Sequence, residues 1–161
     1  MPCDCDPLQG SRLLENMKQF TDDDVLYQME KNLNLSPADA QLLFSDTRKF
    51  LFLCRSNPDQ RLSPPRKVDK GWHEFILCMK VYEDFCMLNF QEMIYHQPSP
   101  REAPEDNGES LRKTHELAVA AFGELSANWD ITKSAACSTD CTEDDDHEGW
   151  EGGADCHSCR S

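Results

Sequence analysis

The chain has 161 residues, about one domain's length, and sets 30 acidic side chains against 16 basic ones for a net charge of −14. That balance argues against duplex DNA, RNA and anionic membrane surfaces as partners, because phosphate recognition needs a basic face. A mean hydropathy of −0.68, with no run of about 18 apolar residues, argues against a bilayer-spanning helix. The start, Met1-Pro2-Cys3-Asp4-Cys5-Asp6, is acidic and has no apolar stretch, so it does not read as a secretory signal and the expected compartment is the cytoplasm. There, nine cysteines are expected as thiols or metal ligands rather than as a disulfide framework.

The charge is unevenly spread. Residues 137–161 hold eight acids and one Arg, a net of −7 and half of the whole excess. That stretch has no Leu, Ile, Val, Phe or Met, and Trp150 is its one large apolar residue. Such a segment cannot offset its ordering entropy unless something cross-links it. The expected organisation is a folded body, residues 8–131, followed by a Cys-rich acidic tail, residues 132–161.

The body reads as all-α, a small helical bundle. Leu occurs 16 times against seven for Val and Ile together, a balance that favours helix over sheet. In chain order, Thr21 with Asp22, Asp23 and Asp24 reads as an N-cap and acidic first turn, opening a helix through Val25, Leu26, Met29 and Leu33. Ser36-Pro37-Ala38-Asp39 is the clearest start, with Ser as cap, Pro at the first helical position and an acid at the third. The helix that follows carries Leu43, Phe50 and Cys54 on one stripe, and its apolar end, Phe50 to Cys54, is expected at the centre of the core. Pro58, Pro64 and Pro65 mark residues 57–67 as a loop. Asp69 is then expected to cap a long helix to about Leu88, with Trp72, Phe75, Ile76, Met79, Tyr82 and Cys86 at helical spacing. Residues 97–109 read as an exposed loop, and Ser110 as the start of a last helix through Leu117 and Phe122. Trp129 and Ile131 are expected to pack back on the bundle, and Phe50, Phe52, Trp72, Phe75, Ile76 and Phe122 to be largely buried.

Chemistry-bearing residues concentrate in two places. Asp69 and His73 are four apart on one helical face, so the carboxylate can fix the imidazole tautomer and leave the other nitrogen for a metal or a proton. The plainer alternative makes Asp69 a helix cap and His73 a half-buried polar residue. His96 follows the end of the long helix and can fold back toward His73, and two His with a carboxylate or Cys suit zinc, with iron as the alternative. Cys86, thirteen positions after His73, points roughly 140° away on a straight α-helix at about 100° per residue. Cys78 and Cys86 are therefore expected as small core residues.

The run Val68-Asp69-Lys70-Gly71-Trp72-His73-Glu74-Phe75, followed by Tyr82, Phe85-Cys86 and His96-Gln97-Pro98, resembles the glycine-rich domain-containing protein-like family, with its D-x-x-W-H helix, following Tyr and Cys, and a His near a Pro. The resemblance covers roughly residues 40–100. It implies an all-helical domain and singles out Asp69, Trp72, His73, Tyr82, Cys86 and His96. The chain has seven Gly and lacks the glycine-rich region, so functions tied to that region do not carry over.

The second place is the tail. Cys137-x-x-x-Cys141 and Cys156-x-x-Cys159 form two close pairs, the layout of a structural zinc site. The alternatives are a disordered tail with incidental cysteines and a redox-active thiol pair, and the surrounding acids disfavour thiolate without a metal. No nucleotide-binding, nucleophile-elbow or HExxH motif is present, and the acids at 143–148 lack EF-hand spacing. The leading expectation is a small helical metal-binding module, with His73, His96, Cys137, Cys141, Cys156 and Cys159 as ligands and Asp69 behind His73. The alternatives are a metal- or thiol-dependent enzyme using Asp69 and His73, and an adaptor with a disordered acidic tail. The acidic surface suits a basic protein partner. Substrate and oligomeric state are not legible.

Overall fold

A computed structural model describes residues 7–96 and 108–132. Among these residues there are six α-helices and no strand: α1 (Pro7–Gln19), α2 (Asp23–Leu33), α3 (Pro37–Ser56), α4 (Arg66–Leu77), α5 (Met79–Phe90) and α6 (Glu109–Phe122). A 3-10 turn, Ala127–Trp129, closes the described part. The body is all-α. No described helix is long and apolar enough to cross a membrane.

Cap chemistry explains the sharpest boundaries. Asp22, one residue after the expected Thr21, caps α2 by accepting hydrogen bonds from the Asp24 and Val25 amides, each at 3.1 Å. Ser36 caps α3 reciprocally: its Oγ accepts from the Asp39 amide at 3.2 Å and donates to the Asp39 carboxylate at 2.6 Å. Each cap satisfies amides that the helix itself leaves unpaired. Asn34 and Gln91 end α2 and α5 in left-handed conformations.

The central element is α3, which packs against α1, α2, α4 and α6. Its buried residues include Leu43, Phe44, Phe50, Leu51 and Leu53. Phe75 of α4 is the aromatic hub, with ring centroids 5.0 Å from Phe44, 5.0 Å from Tyr82, 5.3 Å from Phe85 and 6.4 Å from Phe20. Edge-to-face packing dominates this cluster, as the aromatic quadrupole favours. Of the six residues expected in the core, Phe50, Trp72 and Phe75 are buried, whereas Phe52, Ile76 and Phe122 are partly covered at its edge. Trp129 packs back fully buried, and its turn rests on α3 and α4.

Buried polar groups accompany this apolar core, among them Arg48, Asp46 and Thr114. The Arg48 guanidinium donates to the Met17, Lys18 and Phe20 carbonyls, so it closes the C-terminal end of α1 onto α3. Burial lowers its pKa to about 10, which leaves it charged at neutral pH. Asp46 accepts from Ser126 Oγ at 2.6 Å and Asn128 Nδ2 at 2.9 Å and fixes the closing turn to α3. Thr114 of α6 accepts from the Ser63 amide at 3.0 Å and anchors the proline loop.

Four expectations are corrected. The helix expected over 69–88 is two helices, broken at Cys78 with ψ 60°, where the Cys78 amide turns back to the Phe75 carbonyl at 3.2 Å. It begins earlier, at Arg66, because Pro65 supplies the carbonyl that the Asp69 amide donates to at 2.9 Å. Asp69 therefore lies inside the first turn of α4 and is not its cap. The last helix opens at Glu109 after Gly108, and Ser110 lies inside it, buried. Helix α1, for which no start was read, is an addition.

A carboxylate between two imidazoles

Asp69 and His73 come from successive turns of α4, and His96 arrives from the far side of α5. The left-handed turn at Gln91 reverses the chain, so that residues 93–96 run back past α4 in irregular conformation. A hydrogen-bonded chain holds that return in place. Trp72 Nε1 donates to the Tyr82 hydroxyl at 3.0 Å, and the Tyr82 hydroxyl donates to the Ile94 carbonyl, two residues before His96. Stacking finishes the placement: the His96 ring centroid lies 4.5 Å from Trp72 and 4.4 Å from His73.

The Asp69 carboxylate thus sits between two imidazoles. Its Oδ1 is 2.9 Å from His96 Nε2, and its Oδ2 is 3.5 Å from His73 Nδ1. His73 Nδ1 also faces the Asp69 backbone carbonyl at 2.8 Å. One donor atom from each of the three residues falls within 4.8 Å of the other two. Metal–ligand bonds of about 2.0–2.1 Å place neighbouring donor atoms roughly 2.9–3.4 Å apart, between octahedral and tetrahedral limits. The 2.9 and 3.5 Å contacts use different oxygens of Asp69, and His73 Nδ1 also faces the Asp69 carbonyl, so a shared ion would draw the three donor atoms in from a spread of up to 4.8 Å. The carboxylate is nearer to His96 than to His73, so its part is not confined to orienting His73 as expected.

Accessibility is graded across the trio. The His73 side chain is 52% exposed, Asp69 36% and His96 23%. Asp69 and His96 open onto a cleft of about 670 Å³ between the end of α3, the 57–65 loop and residues 94–96. Phe50, Cys54, Trp72 and Ile94 form its apolar side, and Asn57, Gln60 and Arg61 its polar side.

Cys86 does not join the trio. It is buried in the core, facing the Tyr82 hydroxyl and the Ile94 backbone, and burial pushes its thiol pKa up. Burial takes Cys54 to about 12. Cys78 is raised first by burial and then by the charges of Asp22, Asp24 and Glu74. All three described free cysteines are therefore protonated thiols at neutral pH, poor nucleophiles and poor ligands. Cys137, Cys141, Cys156 and Cys159 lie outside the described residues.

Sequence reasoning did not find the Trp72–Tyr82–Ile94 chain. The ten-residue separation of Trp72 and Tyr82 is no helical neighbour spacing, and the two meet because the helix breaks at Cys78. The model of the UCP032817-like family matches residues 14–144, a span that includes the trio and the first two tail cysteines. No curated protein and no solved structure matches the chain.

Proposed function

For this chain, which belongs to the UCP032817-like family, we propose the function of a helical module that binds a divalent transition metal through Asp69, His73 and His96. Zinc is the first choice and iron the alternative, because two imidazoles and one carboxylate suit both. The observation that carries the reading is the convergence of three ligand-type side chains, two from α4 and one from a segment 23 residues further on, at the mouth of a cleft. An Asp–His pair on one helix is common. A third ligand brought in by a dedicated hydrogen-bonded return is a stronger reason to suspect a site. The resemblance to glycine-rich domain-containing proteins enters here too, since its positions Asp69, His73 and His96 are the ligands and Trp72 and Tyr82 their support.

In this reading the tail contributes a second, structural zinc site from Cys137, Cys141, Cys156 and Cys159, and a cytoplasmic location and a basic protein partner belong to the same proposal. Metal uptake requires both imidazole donor atoms to be unprotonated, so binding releases protons. An enzymatic version would use open metal positions to activate water. The thiol-dependent version loses support, because the described thiols are held protonated. The test is elemental analysis of the full chain purified without added metal, repeated for His73→Gln, His96→Gln and the double change Cys156→Ser with Cys159→Ser. Loss of one metal equivalent in each His variant is expected, with a separate loss in the Cys variant. Unchanged metal content in both His variants would overturn the trio as a site.

A further inference from the structure

The break between α4 and α5 leaves apolar side chains on the surface. Leu77 and Met79 stand on either side of Cys78 and are 71% and 76% exposed. Met79, Glu83 and Met87 follow at four-residue intervals and share one exposed stripe of α5. Leu88, on the adjoining stripe with Lys80 and Asp84, is exposed as well. Four of the eight large hydrophobic side chains exposed among the described residues therefore fall within positions 77–88. Apolar residues scattered singly over a surface need no explanation, whereas neighbouring ones mark an interaction site.

Carboxylates surround this surface. Helix α2 packs along α4, and Asn32 Nδ2 of α2 donates to the Glu74 carboxylate at 2.7 Å. The other end of α2 brings Asp22 and Asp24 near the break, where their charges, with that of Glu74, add to burial in raising the Cys78 thiol pKa. Glu83 stands between Met79 and Met87 on α5. None of these four carboxylates is in an ion pair among the described residues. Lys80, the cation of this helix face, is already bonded to Asp84.

We propose that this surface docks a basic amphipathic segment of a partner protein, whose apolar side chains cover Leu77, Met79 and Met87 and whose Lys or Arg side chains meet the surrounding carboxylates. The inference rests on the reading above for the sign of the partner's charge, and it does not need the metal. Charge argues against the nearer occupants. A second copy also carries −14 and would set like charges against one another. The segments of this chain outside the described residues are acidic too: residues 1–6 carry a net of −2, residues 97–107 a net of −2 and residues 133–161 a net of −6. An anionic membrane is repelled for the same reason. A basic segment with an apolar face answers both halves of the surface. Methionine suits such a contact, because its flexible thioether adapts to the shape of what covers it. The apolar centre then supplies affinity, and the carboxylate rim steers the encounter and selects the partner's charge.

The probe is a synthetic helical peptide of Leu, Lys and Ala, with Leu along one face and Lys along the other. It is titrated into the isotope-labelled full chain in metal-free buffer and followed by amide NMR. One control peptide carries Glu in place of every Lys, and another has the same composition in scrambled order. Saturable shifts at residues 22–24 and 74–88 are expected with the probe, and none with the Glu peptide. The scrambled peptide should bind at least about tenfold more weakly, because it cannot bury its Leu side chains together. Leu77→Ser combined with Met79→Ser should weaken the probe by a similar factor. Glu83→Lys should weaken it roughly fivefold, the upper end for an exposed charge pair. All three positions are exposed, so the melting temperature should not change. His96→Gln should leave peptide binding unaltered, which separates failure of this surface from failure of the metal site. Shifts confined to residues 137–161 would overturn the surface, since the acidic tail alone would then take the peptide. Equal binding of the Glu peptide, or undiminished binding by the Leu77→Ser, Met79→Ser variant, would overturn it too. A dimer seen in sedimentation and abolished by Met79→Ser would overturn the partner and give the surface to a second copy.

Discussion

The Tyr82 hydroxyl links α4 to the segment that returns past it, which also meets α4 through the Asp69–His96 contact. It accepts from Trp72 of α4 and donates to the carbonyl that precedes His96 by two residues. Tyr82→Phe keeps the ring against Phe75 but leaves the Trp72 donor unpaired in the core, a cost of about 1–3 kcal/mol. It should also weaken zinc binding by roughly tenfold, the lower end for loss of a group that orients a metal ligand. Calorimetric zinc titration beside a thermal melt checks both effects, and an unchanged zinc affinity would show that the return segment needs no clamp. The thiols set a second expectation. Cys54 is raised to about 12 and Cys86 and Tyr82 are raised by burial, so the native state holds these protons after the unfolded chain has released them. The unfolded state then binds fewer protons, and stability must fall as pH rises. Their contribution is complete below the ordinary thiol range and is lost progressively as pH climbs toward 12. Melting temperatures in alkaline buffers should therefore decline, and Cys54→Ala should flatten that decline.

At the scale of elements, the tightest contact is between α3 and α4 at Gly71. A Cβ there would stand 2.6 Å from Thr47 Oγ1 and 2.9 Å from Leu43 Cγ. Thr47 cannot give way cheaply, since it is buried and its Oγ1 donates to the Leu43 carbonyl at 2.9 Å. Gly71→Ala gains about 1 kcal/mol of helix propensity and meets an overpacking cost of about 1–3 kcal/mol. A net loss of up to about 2 kcal/mol is expected in chemical denaturation, and a more stable variant would mean that the two helices can separate without penalty. The close approach of α3 to Gly71, the sixth residue of α4, is a tertiary fact with no local signature. Other elements were more legible. The start of α3 follows from Ser36-Pro37. The break at Cys78 is hidden because apolar spacing continues through it, from Phe75 to Tyr82 and Cys86. Asp69 and His73 are legible as a pair from their spacing. The arrival of His96 depends on Gln91 in a left-handed conformation, and Gln does not advertise that turn as Gly or Asn would.

For the whole molecule, the division between body and tail is a proposal with a direct test. The described core is built from α1 to α6 and the turn at Trp129, and residues 137–161 offer one large apolar side chain, Trp150. Deleting residues 137–161 should leave the melting temperature in metal-free buffer within a few degrees of the full chain, because about 1 kcal/mol shifts a domain of this size by about 2–8 °C. A larger fall would place the tail in the core.

The contact between Asp69 and His96 also closes a loop of the chain, non-covalently, that contains all of α5 and the break at Cys78. A metal at that junction would act as a reversible cross-link, since α5 could not swing away from α4 without first giving up a ligand. Zinc at a hundred times its dissociation constant would add about 2.7 kcal/mol to every opening that breaks the site. Amide hydrogen exchange should then slow at residues 91–96 in proportion to zinc, while α6, which lies outside that loop, keeps its rate. Equal protection across both segments would mean that the chain opens only as a unit.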